Sequence, residues 1–142
     1  MSNQKTEART AAPSATLYAQ IGGDAEVRAL VDRFYDAMET LPQAATIRAM
    51  HPNNLAGSRL KLYEFLSGWL GGPQLYIEKR GHPRLRARHL PFAIGDAEAA
   101  AWMLCMANAL DGLPEAVSPM LREVLWSQLG QVAAFMRNQG PA

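Results

Sequence analysis

Three histidines, His51, His82 and His89, are the most versatile side chains in this 142-residue chain. An imidazole near neutrality can exchange a proton or ligate a metal, so their spacing bounds the chemistry on offer. His82 and His89 are seven apart, two helical turns, which would align them on one helix face, but Pro83 and Pro91 limit how much continuous helix fits there. No usual zinc-motif spacing occurs. The single cysteine, Cys105, excludes an internal disulfide and a cysteine cluster. Gly22-Gly23 lacks the surroundings of a phosphate loop, and no local motif suggests a Ser/His/Asp set. His51 opens the turn-like run His51-Pro52-Asn53-Asn54. Beside the other two histidines, five cations (Lys79, Arg80, Arg84, Arg86, Arg88) follow one another with no acid between them. They read as a solvated basic loop or as a rim that neutralises a bound anion. A nucleic-acid patch is poorly supported, because the run is short and the net charge is only +1.

The elements that position these groups follow from periodicity. Gly71 to Ile94 (GGPQLYIEKRGHPRLRARHLPFAI) reads as an irregular connection, with one short helix ending near His89 or Leu90 where Pro91 stops it. The flanking segments read as amphipathic helices. A short turn or helix at Leu17 to Ile21 is closed by Gly22-Gly23. Asp24 is the expected N-cap of a first long helix, with Val27, Leu30, Val31, Phe34 and Met38 at helical spacing and an end near Thr40, ahead of Pro42. Tyr35 lies at the stripe's edge, the place of a half-buried phenol with its hydroxyl near water. A short helix is expected over Ala44 to Met50. A second long helix runs from about Leu55 to Leu70, with Leu55, Leu62, Phe65, Leu66 and Trp69 on one face. Ser58 shares that face one turn before Leu62, free to bond its own backbone or to meet a polar ligand. Lys61 borders the face, its stem packed and its charge at the rim. After Ile94, Asp96 is the expected N-cap of a third helix carrying Trp102, Cys105, Met106 and Ala109. Ser118-Pro119 opens a last one with Leu121, Val124, Leu125, Val132, Phe135 and Met136. The fold class is all-α.

The length argues for one domain, and a 49% hydrophobic content suffices for a core and a pocket. The polar first residues lack the apolar stretch of a secretory signal. No run approaches the ~18 apolar residues of a membrane span. The expectation is a cytoplasmic protein with a disordered tail over residues 1–15 and one domain over 16–139. An all-α pocket offering a histidine and a cationic rim suits haem, which takes a neutral imidazole on its iron and polar control of its distal side. Against this, a lone histidine in a helical domain is more often structural.

The residues themselves carry a resemblance. Gly71-Gly72-Pro73, Arg80-Gly81-His82-Pro83 and Arg88-His89-Leu90-Pro91-Phe92, followed by Trp102 and preceded by the pair Phe34-Tyr35, are similar to the group II truncated haemoglobins. The likeness spans about residues 16 to 137. It implies a two-over-two helical sandwich, a short globin variant, holding haem b. It also implies that His89 is the proximal iron ligand, that His82 is a motif histidine off the iron, and that Tyr35 and Trp102 are distal residues. An indole N–H can only donate, which suits a ligand bearing partial negative charge. By the same resemblance Lys61 lies near a propionate, with Arg86 and Arg88 as further rim cations, and Ser58 and Leu62 point inward from the distal helix. Phe34 and Phe65 belong to the haem walls. His51 falls where the family commonly has tyrosine or phenylalanine. There its imidazole would hydrogen-bond Tyr35 or the bound ligand, or reach the iron as a sixth ligand.

The function so implied is binding of oxygen and other diatomic ligands, nitric oxide and carbon monoxide among them, in a polar distal pocket. The alternative is a haem redox enzyme acting on nitric oxide, peroxide or nitrite. It would need an external reductase, since the chain holds no reductase domain. Neither nucleic acid nor membrane is an expected partner.

Overall fold

The computed structural model describes residues 16–140, so the expected tail lies outside the described residues. Eight α-helices occur among the described residues: α1 Leu17–Ile21, α2 Asp24–Thr40, α3 Ala45–Ala49, α4 Ala56–Trp69, α5 Leu75–Arg80, α6 Leu85–His89, α7 Asp96–Asp111 and α8 Pro119–Met136. A 3-10 turn, Pro42–Ala44, precedes α3. No strand occurs among the described residues, nor any helix long and apolar enough to cross a membrane. Helix α2 packs on α7 and on α4, and α7 packs on α8, giving the two-over-two arrangement of paired helices.

The helix starts lie one residue from the expected caps. Gly23 and Gly95 take the N-cap positions, and Asp24 and Asp96 are the first helical residues. Their carboxylates still lie in the first turn, where the helix dipole favours negative charge. At α7 the Glu98 Oε1 accepts from the Gly95 N–H at 2.8 Å, half of a capping box. Ser118 caps α8 as its type predicts, accepting from Leu121 N at 3.1 Å, with Pro119 at the first helical position.

The core joins Val27, Leu30, Val31, Phe34 and Met38 of α2 to Cys105, Met106 and Ala109 of α7 and Leu125 and Leu129 of α8. In α4 the buried face differs from the expected one. Leu55 and Leu66 are buried, but so are Tyr63, Glu64, Ser67 and Leu70, while Leu62, Phe65 and Trp69 are only half-buried. Polar side chains fill the inner positions because each has a built partner. The Tyr63 hydroxyl donates to the Asp24 carboxylate in a short hydrogen bond. Ser67 donates to the Pro73 carbonyl at 2.8 Å, fastening the Gly71-Gly72-Pro73 turn. Glu64, with a side chain 6% exposed, accepts from Arg80 at 2.7 Å and Lys79 at 3.2 Å.

That ion pair belongs to α5, a helix that the reading of Gly71 to Ile94 as irregular does not anticipate. Two of the five cations in the basic run are therefore tied to a buried carboxylate. Burial pushes the Glu64 carboxyl up, but Arg80 and Lys79 outweigh it and hold it below its ordinary value. Between α5 and α6 the chain turns through Arg84, at φ 47° the sole non-glycine with positive φ among the described residues. The His82 Nδ1 accepts from Arg84 N at 3.0 Å, which supports this left-handed residue against its intrinsic cost.

Candidate functional site: a histidine and a distal aromatic cluster

Helix α6 has five residues, as expected of a short helix stopped by Pro91, and ends on His89. The His89 Nδ1 lies 2.6 Å from the Leu85 carbonyl one turn back. A carbonyl oxygen only accepts, so Nδ1 carries the hydrogen, and in the neutral ring the lone pair stays on Nε2. Such a bond fixes the tautomer and ring orientation of a metal-ligating histidine and raises its basicity. The imidazole is half-buried.

The distal candidates come from α2, the α3 corner and α7. Phe34, with 0% exposure, is the anchor. Its ring meets Tyr35 edge-on, centroids 5.0 Å apart at 87°, and Trp102 at 5.2 Å and 61°, geometries that aromatic quadrupoles favour. Tyr35 is buried, 5% exposed, deeper than its place at the stripe's edge implies. Its hydroxyl forms no hydrogen bond with the described residues, and neither does the Trp102 indole N–H. Burial pushes the Tyr35 phenol up, only partly opposed by Arg59, whose guanidinium carbon lies 5.7 Å from the ring centroid. Three acids, Asp32, Asp36 and Glu39, hold Arg59 in place.

His51 also belongs to this cluster. Its ring lies 5.9 Å from that of Tyr35 at 77°. Of the three roles open to His51, the hydrogen bond to Tyr35 is not formed here. The His51 Nδ1 instead meets the Ile47 carbonyl at 2.7 Å, the i−4 contact that His89 makes, and its neutral ring likewise keeps the lone pair on Nε2.

The remaining candidates divide. Ser58 is half-buried on α4 with no side-chain hydrogen bond to described residues, and exposed Lys61 forms no ion pair among them. Leu62, Phe65 and Trp102 pack one side against the core and leave the other open. Arg88 is exposed, with Nε donating to the Pro83 carbonyl at 2.8 Å. Arg86 is exposed too and uses one of its nitrogens within the fold. Its Nη1 donates to the Phe135 and Arg137 carbonyls at 2.9 and 2.8 Å, satisfying carbonyls at the end of α8.

Two contributors escape a reading of residue types. The Leu85 carbonyl is backbone, and only the prediction that His89 ends a helical turn points to it. Asn138 lies 49 residues beyond His89, yet its Nδ2 donates to the His89 carbonyl at 3.2 Å.

These features fit a haem. Two imidazoles, His89 and His51, present a lone pair at Nε2, two N–H or O–H donors have no partner among the described residues beside a buried aromatic ring, half-buried apolar side chains offer walls, and Lys61 and Arg88 are cations at the surface. No group of three or more His, Cys, Asp or Glu side chains that would favour a multi-ligand metal site gathers among the described residues.

Comparison with known proteins defines the class. Residues 16–138 match the bacterial-like globin family. A group 2 truncated haemoglobin of Bacillus subtilis is 39% identical over 120 residues, 84% of this chain and 87% of that protein. The solved group II two-on-two haemoglobin of the plant pathogen Agrobacterium tumefaciens is 51% identical, with a TM-score of 0.83 over 88% of this chain and 95% of that one. The cold-adapted truncated haemoglobin of the Antarctic marine bacterium Pseudoalteromonas haloplanktis is 46% identical, with a TM-score of 0.84 over 88% and 99%. The chain therefore belongs to the bacterial-like globins, and within them to the group II truncated haemoglobins, a family that implies ligand binding through haem.

Proposed function

We propose that this protein binds haem b through the Nε2 of His89 and uses it to hold oxygen and other diatomic ligands in a polar distal pocket. The observation that carries the reading is the 2.6 Å contact from the His89 Nδ1 to the Leu85 carbonyl, which leaves Nε2 as the ligating atom. Haem, held by His89, would supply an iron able to take up a diatomic molecule. Everything else falls to the chain. Trp102 and Tyr35 offer donors unused by the described residues, and Phe34 keeps both rings in place through its edge contacts. A ligand that gains negative charge on binding is held by such donors. His51, with Nδ1 on Ile47, presents an acceptor at Nε2 while neutral. It suits the Tyr35 hydroxyl or a water better than the ligand itself. Leu62 and Phe65 supply apolar wall, and Phe34, fully buried, backs the distal rings from the core. Lys61, Arg88 and Arg86 supply positive charge for the propionates, Arg86 with one nitrogen already bonded to the carbonyls at the end of α8.

The test is a set of spectra of the hemin-loaded protein, ferric, ferrous and with carbon monoxide, for the parent and for His89→Ala. The parent should show a Soret band and a five-coordinate ferrous form. The variant should lose haem or its proximal coordination signature. Unchanged haem retention and ligand spectra in H89A would sink the assignment. Sustained peroxide turnover, instead of stoichiometric haem bleaching, would shift the reading to a redox enzyme fed by an outside reductase.

A further inference from the structure

Helix α6 carries His89 but has little of its own to hold it in place. It is five residues long with no buried residue, and helices this short are marginal without packing. Its last carbonyls have no partner within the helix. The corner that follows meets two of them, since Ala87 O accepts from Leu90 N at 3.4 Å and His89 O from Phe92 N at 3.0 Å, and the rest of the contact comes from the end of α8 and the three residues that follow.

Asn138 is the centre of that contact. Its Nδ2 donates to the His89 carbonyl at 3.2 Å and to the Phe92 carbonyl at 2.8 Å. Its Oδ1 accepts from Ile94 N at 3.0 Å. One carboxamide therefore bridges both ends of the Leu90 to Ile94 corner and touches the backbone of the histidine itself. The main chain closes the same joint, since Asn138 N and Gln139 N both donate to the Ile94 carbonyl, at 2.8 and 3.1 Å. On either side, Arg86 reaches the Phe135 and Arg137 carbonyls, and Arg137 pairs with Asp96 at 2.5 Å. The clasp ties α6, the corner and the start of α7 to one C-terminal segment.

We propose that Asn138 is a positioning residue for the proximal histidine. By holding the His89 carbonyl it fixes the height and tilt of the His89 ring, whose own Nδ1 bond to Leu85 fixes only its rotation within α6. The inference rests on the reading of His89 as the iron ligand. Asn138 meets the corner through main-chain atoms of His89, Phe92 and Ile94. It acts through the backbone, as outer-shell partners of metal ligands do.

The full chain is compared with Asn138→Ala and Asn138→Asp. The aspartate keeps an acceptor for Ile94 N but loses both donations, so agreement between the two variants isolates the donor arm. In the haem-free protein, amide exchange over residues 85–94 should accelerate in N138A, as expected when a local opening is made easier. In the hemin-loaded protein, both variants should lose haem to an acceptor globin about tenfold faster, as loss of roughly one net hydrogen bond predicts. The iron–histidine stretching band of the ferrous form should shift or broaden in both, a signature that a general loss of stability would not produce. Unchanged haem loss and an unmoved band in both variants, beside a normally loaded parent, overturn the proposal even where amide exchange has changed. A parent that retains no haem refutes the assignment of His89 instead. In that case unaltered exchange over 85–94 in N138A would separately show that the clasp holds nothing.

Discussion

Replacing Tyr35 with phenylalanine separates ligand binding from folding, because the two respond in different directions. The Tyr35 ring is packed against Phe34 and His51, and phenylalanine preserves that packing. The hydroxyl bonds to none of the described residues, so its removal breaks no protein hydrogen bond. Stability of the haem-free protein in urea should therefore stay within about 0.5 kcal/mol of the parent. The ligand-bound state should behave otherwise. A hydrogen bond to a partner bearing charge contributes about 1.5–3 kcal/mol, and ~1.4 kcal/mol is one decade in an equilibrium constant. If the bond breaks on the way to release, oxygen should leave Tyr35→Phe about 10- to 150-fold faster, measured by stopped-flow replacement with carbon monoxide. Since burial pushes the phenol above its ordinary value of 10.0, the hydroxyl stays a donor across the physiological range. Ionisation of the phenol should then add no step to the rate between pH 6 and 10. An unchanged off-rate would refute the assignment of a donor role. A loss of 2 kcal/mol or more in the haem-free protein would show instead that the hydroxyl is structural.

Two further outcomes follow from the same geometry. Trp102→Phe keeps an aromatic ring against Phe34 but deletes the indole donor, so oxygen release should again accelerate by about an order of magnitude, and an unaltered rate would mean that Trp102 only fills space. Glu64→Gln leaves Arg80 and Lys79 without their buried carboxylate and should lower stability by about 2 kcal/mol in urea titrations at pH 7. The sign with pH is fixed by the direction of the shift. The folded-state value lies below the ordinary 4.5, so the Glu64 contribution is complete above that value and fades as pH falls through the folded one. The gap between parent and E64Q should therefore narrow in acid, and a gap that widens there would contradict the ion-pair assignment.

The helices were legible wherever apolar residues recur at helical spacing. Val27, Leu30, Val31, Phe34 and Met38 announce α2, and Ser118-Pro119 announces the start of α8. Periodicity failed where polar groups hold the structure together. Tyr63, Glu64 and Ser67 line the inner side of α4 because Asp24, Arg80 and the Pro73 carbonyl await them, and hydrophobicity patterns pass over residues whose burial depends on distant partners. Helix α5 was hidden for the same reason: six residues between proline and glycine carry little pattern, and its anchor is a carboxylate 16 residues earlier. Charge counting alone does not show where each cation of the basic run is anchored. Arg86 looks like its neighbours in sequence, yet only the fold shows that the carbonyls ending α8 lie within its reach.

The candidate site divides along the same line between what residue type reveals and what geometry adds. The motif around His89 marks the histidine, but its tautomer comes from the Leu85 carbonyl, and no side chain encodes that. His51 shows why the distinction matters. Residue type allows its imidazole to donate, to accept or to ligate. With Nδ1 on the Ile47 carbonyl, a neutral ring has no hydrogen left on Nε2 and can do only the last two. Under the proposed function, donation to a diatomic ligand would then fall to Tyr35 and Trp102, whose O–H and N–H groups find no partner among the described residues. Trp102 cannot accept at all, and Tyr35 can both donate and accept. A chain of donation from Tyr35 toward His51, when it forms, would withdraw the phenol from the ligand and leave Trp102 as the single donor. Under the proposed function, competition between His51 and the ligand for one hydroxyl would set how tightly the distal side holds what it binds.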